Sequence, residues 1–158
     1  MTAVDTNILF AWLNRDHAWH RRATAWMLEQ ATNPNLVLCE LCLVELYGLL
    51  RNPAVVKRPL AGPDAAELIQ GLRSHPQWEL VDYPGGLMPE VWPAAAGPGF
   101  ARRRIYDARL ALTLRHHGVA EFATANVKDF ADFGFTRVWN PLTEPGKQKP
   151  TLEPAGPV

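Results

Sequence analysis

Successive strand-like segments of this chain are all separated by connections too long for a hairpin, and most of those connections read as helix. Thr2-Ala3-Val4 is a short strand ending at Asp5, and Thr6 and Asn7 open a helix that continues through the apolar run Ile8 to Leu13. Leu36 to Leu38 is a buried strand running straight into a helix from about Glu40 to Asn52, which Pro53 stops. Trp78 to Tyr83 alternates like a strand, and Glu121 to Thr124 and Arg137 to Trp139 supply two more. Strands joined by helical crossovers must pair in parallel. The expected fold is therefore an α/β three-layer sandwich, a central, mainly parallel sheet with helices on both faces. In such sheets functional residues collect beyond the carboxyl ends of the strands.

Local signals place the remaining elements. Asp16 is a candidate N-cap for a helix over about 17–32, in which Trp19, Ala23 and Trp26 fall on one face and Arg21, Arg22 and Glu29 on the wet one. Asp64 is the expected cap of a helix reaching Ser74. Residues 84–99 are rich in proline and glycine and predict a loop with at most a short helix. Arg102 to His117 is a strong helix closed by Gly118. Five prolines follow in the 18 residues from Pro141. The expected organisation is one domain over 1–142 and a flexible tail over 143–158.

Composition bounds the function. With 158 residues and 47% apolar content the chain buries a proper core. No apolar run approaches the roughly 18 residues of a membrane span, and MTAVDTNILF has no basic region of a signal peptide, so a cytoplasmic protein is expected. Sixteen basic residues balance sixteen acidic ones. Neutrality argues against coating nucleic acid by bulk charge, which calls for a pI above about 9, but leaves local patches of either sign open. Cys39 and Cys42 are too few for a disulfide scaffold.

The acids define the chemistry. Asp5 ends the first strand, where a helix-capping role is the competing reading. Glu45 is the single charge of LCLVELYGLL, residues 41–50, with Leu41 and Leu49 on its own stripe. A helix apolar all round is expected to be buried, and a buried carboxylate must be paired, protonated or bound to metal; the alternative is a structural ion pair with an arginine. Asp107 opens the inward stripe of its helix ahead of Leu110, Ala111 and Leu114, and also suits the helix dipole. Asn126 and Asp129 follow another strand's carboxyl end, where turn roles compete. Carboxylates about 4 Å apart repel by roughly 4 kcal/mol per pair at an effective dielectric near 20, so shared ionisation requires a cation. All-oxygen sites suit Mg²⁺ or Mn²⁺, and the chemistry that follows is metal-dependent phosphodiester cleavage.

Four blocks stand in order: Val4-Asp5-Thr6-Asn7-Ile8-Leu9, Val44-Glu45-Leu46-Tyr47, Ile105-Tyr106-Asp107-Ala108 and Thr124-Ala125-Asn126-Val127-Lys128-Asp129-Phe130. The set resembles the PIN domain of VapC-type toxin ribonucleases over residues 1–142. The resemblance implies a Mg²⁺- or Mn²⁺-dependent endoribonuclease, inhibited by a cognate VapB-like antitoxin and usually a homodimer. It carries the first three acids onto Asp5, Glu45 and Asp107. The fourth departs: Asn126 stands where many relatives have aspartate, which leaves Asp129 as the favoured fourth acid and Asn126 as a neutral contributor. Glu40 stands near where relatives carry Ser or Thr, and is expected to add charge. Thr6 and Asn7 are expected to support Asp5, and Thr124 to contact metal, water or phosphate. Arg102, Arg103 and Arg104 are the candidate grip on RNA phosphates, with a solvated helix start as the competing reading. Arginine supplies 12 of the 16 basic residues, a bias that suits bidentate phosphate binding.

Three rivals are weaker. Cys39 and Cys42 match the spacing of a redox pair, but apolar flanks and the missing aromatic-Gly-Pro surroundings make them core cysteines. A zinc site using them with His116 and His117 lacks a second ligand pair. A phosphohydrolase with Asp5 as nucleophile would need aspartate where Asn7 stands. The alternative kept open is a catalytically impaired module of the same fold that binds RNA or protein, favoured by the missing aspartate at 126.

Overall fold

The computed structural model describes residues 1–143, so the expected tail lies outside the described residues from position 144 onward. Five short strands form one sheet in the order β3-β2-β1-β4-β5. They are β1 (Thr2–Val4), β2 (Leu36–Cys39), β3 (Glu79–Val81), β4 (Glu121–Ala123) and β5 (Arg137–Trp139). Every pairing is parallel, so the sheet is wholly rather than mainly so. The chain builds outward from β1 through β2 to β3, then returns to the other side of β1 for β4 and β5. The reversal falls between β1 and β4, and a crevice opens there at the carboxyl edge.

Strand alternation sorts the core into two layers. Val4, Leu36 and Leu38 face α1 (Thr6–Leu13), α2 (His20–Gln30), α3 (Glu40–Leu50) and α4 (Gly62–Arg73). Ala3, Val37 and Phe122 face α6 (Arg104–His116), through Leu110, Ala111 and Leu114. A third cluster joins α5 (Met88–Ala95) to α6 through Leu87, Val91 and Ala108. Single-turn α7 (Val127–Phe130) drops Phe130 onto Phe122, ring centroids 4.8 Å apart. Among the described residues no helix is long and apolar enough to cross a membrane.

Several local expectations are corrected. Asp16 does not cap α2, which starts at His20 behind Trp19 with no side-chain cap. Residues ahead of α2 form a turn in which the Trp19 N–H donates to His17 Nδ1, and Asp16 lies beside Lys57 and Arg58 at 3.8 and 3.9 Å. Asp64 sits inside the first turn of α4, because Pro63 opens that helix with its φ already set. The α6 helix begins at Arg104 and ends before Gly118, whose φ of +75° is the left-handed C-terminal stop.

The largest correction concerns α3. Only the flank carrying Cys42, Leu43, Leu46 and Leu50 is buried. Val44 is 71% exposed, and Glu45 is exposed beside it. An apolar stretch on an outer-layer helix can line a cleft or a partner-facing surface as well as a core, and periodicity does not distinguish them.

This packing sets a contrast in mutational cost. Phe122 is fully buried between Phe130 and Phe135, so Phe122→Ala is expected to lose about 3–5 kcal/mol in urea unfolding. Val44→Ala, equally apolar in sequence, is expected to change stability by less than about 0.5 kcal/mol.

Candidate active site

Asp5 is the best-built residue at the crevice. It caps α1, its Oδ1 accepting from the Thr6 N–H at 2.7 Å, and only 5% of it is exposed. Its Oδ2 accepts from Asn7 Nδ2 at 2.7 Å and from Thr124 Oγ1 at 2.5 Å. Thr124 in turn accepts from the Asn126 N–H at 3.0 Å, and Asn7 Oδ1 accepts from the Ala125 N–H at 3.0 Å. Side chains thus tie the ends of β1 and β4 across the switch point. Thr6 Oγ1 extends the frame by donating to the Cys42 carbonyl at 3.3 Å. The Thr6 backbone and the Asn7 side chain thus both donate to the Asp5 carboxylate. The Thr124 hydroxyl proton is committed to Asp5.

A cleft of about 450 Å³ opens over this frame, with Asp5, Glu45, Asp107 and Asn126 in its walls. Burial raises the Asp5 carboxyl to about 6 against the pull of its three hydrogen bonds, and the charge of Glu45 adds to the rise. Asp107, half-buried in the first turn of α6, is also raised, chiefly by burial and then by Asp129, with Glu45 adding and Arg104 opposing. The acids therefore sense one another. Among the described residues, however, no three Asp, Glu, His or Cys side chains form a preassembled metal cage. The acids line the cleft from separate elements. The donor set is nonetheless all oxygen, and a hard divalent ion that keeps part of its water shell suits carboxylates spaced in this way.

The other candidates divide. Asp129 is exposed on α7 outside the cleft lining, near enough to Asp107 to raise its carboxyl, while Asn126 is in the wall itself. Glu40 does not bring charge to the cleft; its carboxylate is held by Arg73 Nε of α4 at 2.6 Å. Arg104 is occupied structurally, paired with Asp132 at 3.1 Å and lying over the rings of Phe100 and Phe133. Arg102 and Arg103 are exposed and are not part of the cleft wall. The cysteines are buried and unlinked; burial pushes Cys39 up to about 11 and holds Cys42 well above the usual thiol range, so neither supplies a thiolate. His117 Nε2 engages the Asp82 carbonyl at 2.8 Å, far from a zinc role.

The structure adds residues not singled out for the site. His17 lines the cleft, and burial lowers its pKa, with His20 adding. Its Nδ1 accepts from the Trp19 N–H, so the neutral ring carries its proton on Nε2. Nothing in the local sequence marks it, because its place depends on the turn between α1 and α2. Tyr106 and Arg109 line the wall on either side of Asp107; their positions one residue before and two after that acid were the available signal.

Comparison with known proteins is consistent with this geometry. The family model described as PIN domain matches residues 2–135. The chain is 55% identical over 146 residues to Ribonuclease VapC24 of Mycobacterium tuberculosis, covering 92% of this chain and all of that one. Its fold superposes on the crystal structure of Mycobacterium tuberculosis VapC20, described as a sarcin-ricin-loop-cleaving toxin, with a TM-score of 0.65 at 20% identity, covering 85% of this chain and 96% of that one. It also superposes on a toxin–antitoxin complex from Klebsiella pneumoniae, with a TM-score of 0.56 at 19% identity, covering 89% and 98%. The chain belongs to the PIN-domain family and is a homologue of the VapC ribonuclease toxins.

Proposed function

We propose that this nuclease is a divalent-metal-dependent endoribonuclease, the toxin of a toxin–antitoxin pair, built on residues 1–142 and acting in the cytoplasm. The observation that carries the reading is the meeting of Asp5, Glu45 and Asp107 in one cleft at the switch point, each acid raised or raising another. The 55% identity to Ribonuclease VapC24 supports the substrate class. Asp5, Glu45 and Asp107 would hold a Mg²⁺ or Mn²⁺ ion, with Asp129 adding charge at the rim and Asn126 a neutral oxygen. Such an ion supplies an activated water and offsets charge on the phosphate oxygens.

The chain's own residues do the positioning. Thr6, Asn7 and Thr124 take three of the roughly four acceptor sites of the Asp5 carboxylate and leave one on Oδ1. The carboxylate is thereby held in one orientation at the cleft floor. Among the described residues at the cleft, the Thr124 proton is engaged and the Cys42 thiol is kept protonated, so neither is a ready nucleophile. Water is the nucleophile consistent with this wall. Exposed Val44, next to the cleft residues Leu41, Glu45 and Leu49, gives α3 a partly apolar outer flank suited to a protein partner, either a VapB-like antitoxin or a second copy in a homodimer. An antitoxin Arg or Lys placed among the acids would silence them; reversing that charge is expected to release activity.

Purified, antitoxin-free protein is expected to cleave structured RNA with Mg²⁺ or Mn²⁺, and to lose cleavage in EDTA or as Asp5→Asn. Wild type as inert as the variant across several RNAs would replace the enzyme with the catalytically impaired binding module. At limiting metal, cleavage is expected to rise with pH through about 6, because Asp5 must lose its proton to bind a cation.

The same carboxyl links site to stability. Its pKa of about 6 exceeds the unfolded value near 3.9, so the folded state holds a proton that the unfolded chain has released between those values. Stability therefore falls as pH rises through that window, by up to about 3 kcal/mol. Without metal at pH 7.5, Asp5→Asn is expected to raise stability by roughly 1–2 kcal/mol, less than the full relief because an amide accepts on one oxygen only and so loses either the Thr6 N–H bond or those of Asn7 and Thr124. Thermal melting in EDTA checks this as a rise of roughly 2–8 °C in Tm; a fall would show the ionised carboxylate to be stabilising.

A further inference from the structure

The cleft poses an electrostatic problem for its own substrate. Three acids line it, and an RNA strand carries a negative charge at every phosphate. The arginines expected to meet that strand lie elsewhere: Arg104 is paired with Asp132, and Arg102 and Arg103 are outside the wall. Among the described residues, Arg109 is the one arginine or lysine that lines the cleft.

We propose that the cleft-facing side of α6 is a subsite for single-stranded RNA, in which Arg109 grips a backbone phosphate and Tyr106 carries an unstacked base. The inference deepens the nuclease reading and takes from it the position of the scissile bond beside Asp107.

Arg109 is built for the task. Its guanidinium lies over the ring of Tyr83, 4.4 Å from the centroid, which fixes the plane of the fork before any ligand arrives. Its Nε is buried without a hydrogen-bond partner among the described residues. No carboxylate pairs with it among those residues, and the positive charge felt by Asp107 is that of Arg104. A half-buried arginine left without an anion in an acidic cleft is matched by an anion that comes from outside. A phosphate accepts from two guanidinium N–H groups at once.

Tyr106 supplies the second half. Residues three apart on a helix share a face, so Tyr106 and Arg109 sit together along α6 with Asp107 between them in sequence. Tyr106 lines the cleft yet is 73% exposed, so core packing does not account for a large aromatic there. Bases of single strands and loops stack on such rings without regard to sequence, while bases inside a duplex are not free to do so. The pair therefore selects unpaired strand.

The test is fluorescence anisotropy with a labelled, mixed-sequence single-stranded RNA oligonucleotide, and a fully paired RNA duplex as comparison. The protein carries Asp5→Asn and the buffer EDTA, so that nothing turns over; wild-type cleavage with Mg²⁺ is measured in parallel. Arg109→Gln is expected to weaken binding and to lower the slope of log K against log salt by about 0.7, the loss of one phosphate contact, and Arg109→Lys to restore that slope. Tyr106→Ala is expected to weaken single-strand binding by roughly five- to a hundredfold with little change in slope, Tyr106→Phe to bind as the parent, and duplex binding to ignore both. The subsite is overturned if the parent binds no single strand, if Arg109→Gln or Tyr106→Ala binds as the parent does while melting at the same temperature, or if duplex is affected equally. Wild type that cleaves RNA while the variants bind normally defeats the subsite and leaves the nuclease. The predicted binding losses with an inert wild type defeat the nuclease and leave the subsite.

Discussion

A single buried carboxylate joins the two halves of the sheet. Asp5 ends β1, caps α1 and accepts the Thr124 hydroxyl from the end of β4, so three elements meet on its two oxygens. The frame depends on the order β3-β2-β1-β4-β5, which sets β1 and β4 side by side although 119 positions separate Asp5 from Thr124. Three hydrogen bonds lower the carboxyl's pKa, burial raises it more, and the balance leaves it near 6. A group held in this state is uncomfortable without a cation and well placed beside one.

That discomfort is distributed over the cleft. Glu45 approaches from the exposed flank of α3, Asp107 from the first turn of α6, and Asp129 from the rim. Because each acid stands on a different element, their convergence depends on the packing of α3 and α6 against the sheet rather than on any local turn. Core and site are coupled here through geometry: Phe122 lies one strand position before the end of β4, and Phe130 anchors the short helix that follows Asn126 and carries Asp129. Loosening those rings would move the site without touching an acid.

Arginine usage shows how an overall charge of zero hides opposites. Arg73 is bound to Glu40 outside the cleft, and Arg104 is held by Asp132, from where its charge still reaches Asp107. Arg109 instead stands in the cleft against a tyrosine ring. Neutrality of the sum therefore says little about an RNA strand, whose fate is decided by which charges remain unpaired in the groove.

Much was legible in the chain itself. Short strands with long crossovers demand a parallel sheet, because parallel neighbours cannot be joined by a tight turn. That reasoning places Asp5 and Thr124 at carboxyl edges, and helical periodicity turns Asp107 with its apolar stripe. What periodicity cannot settle is which side of an apolar helix meets water: Glu45 reads as buried and is exposed, since Leu41, Val44 and Leu49 line a cleft or an open face instead of a core. Nor can it assign partners distant in sequence. The capture of Glu40 by Arg73, of Arg104 by Asp132, and the arrival of His17 at the cleft are decided by tertiary packing alone. Local sequence determines backbone preference and which face a side chain takes, while the pairing of charges across elements depends on distances that exist only once the layers have closed.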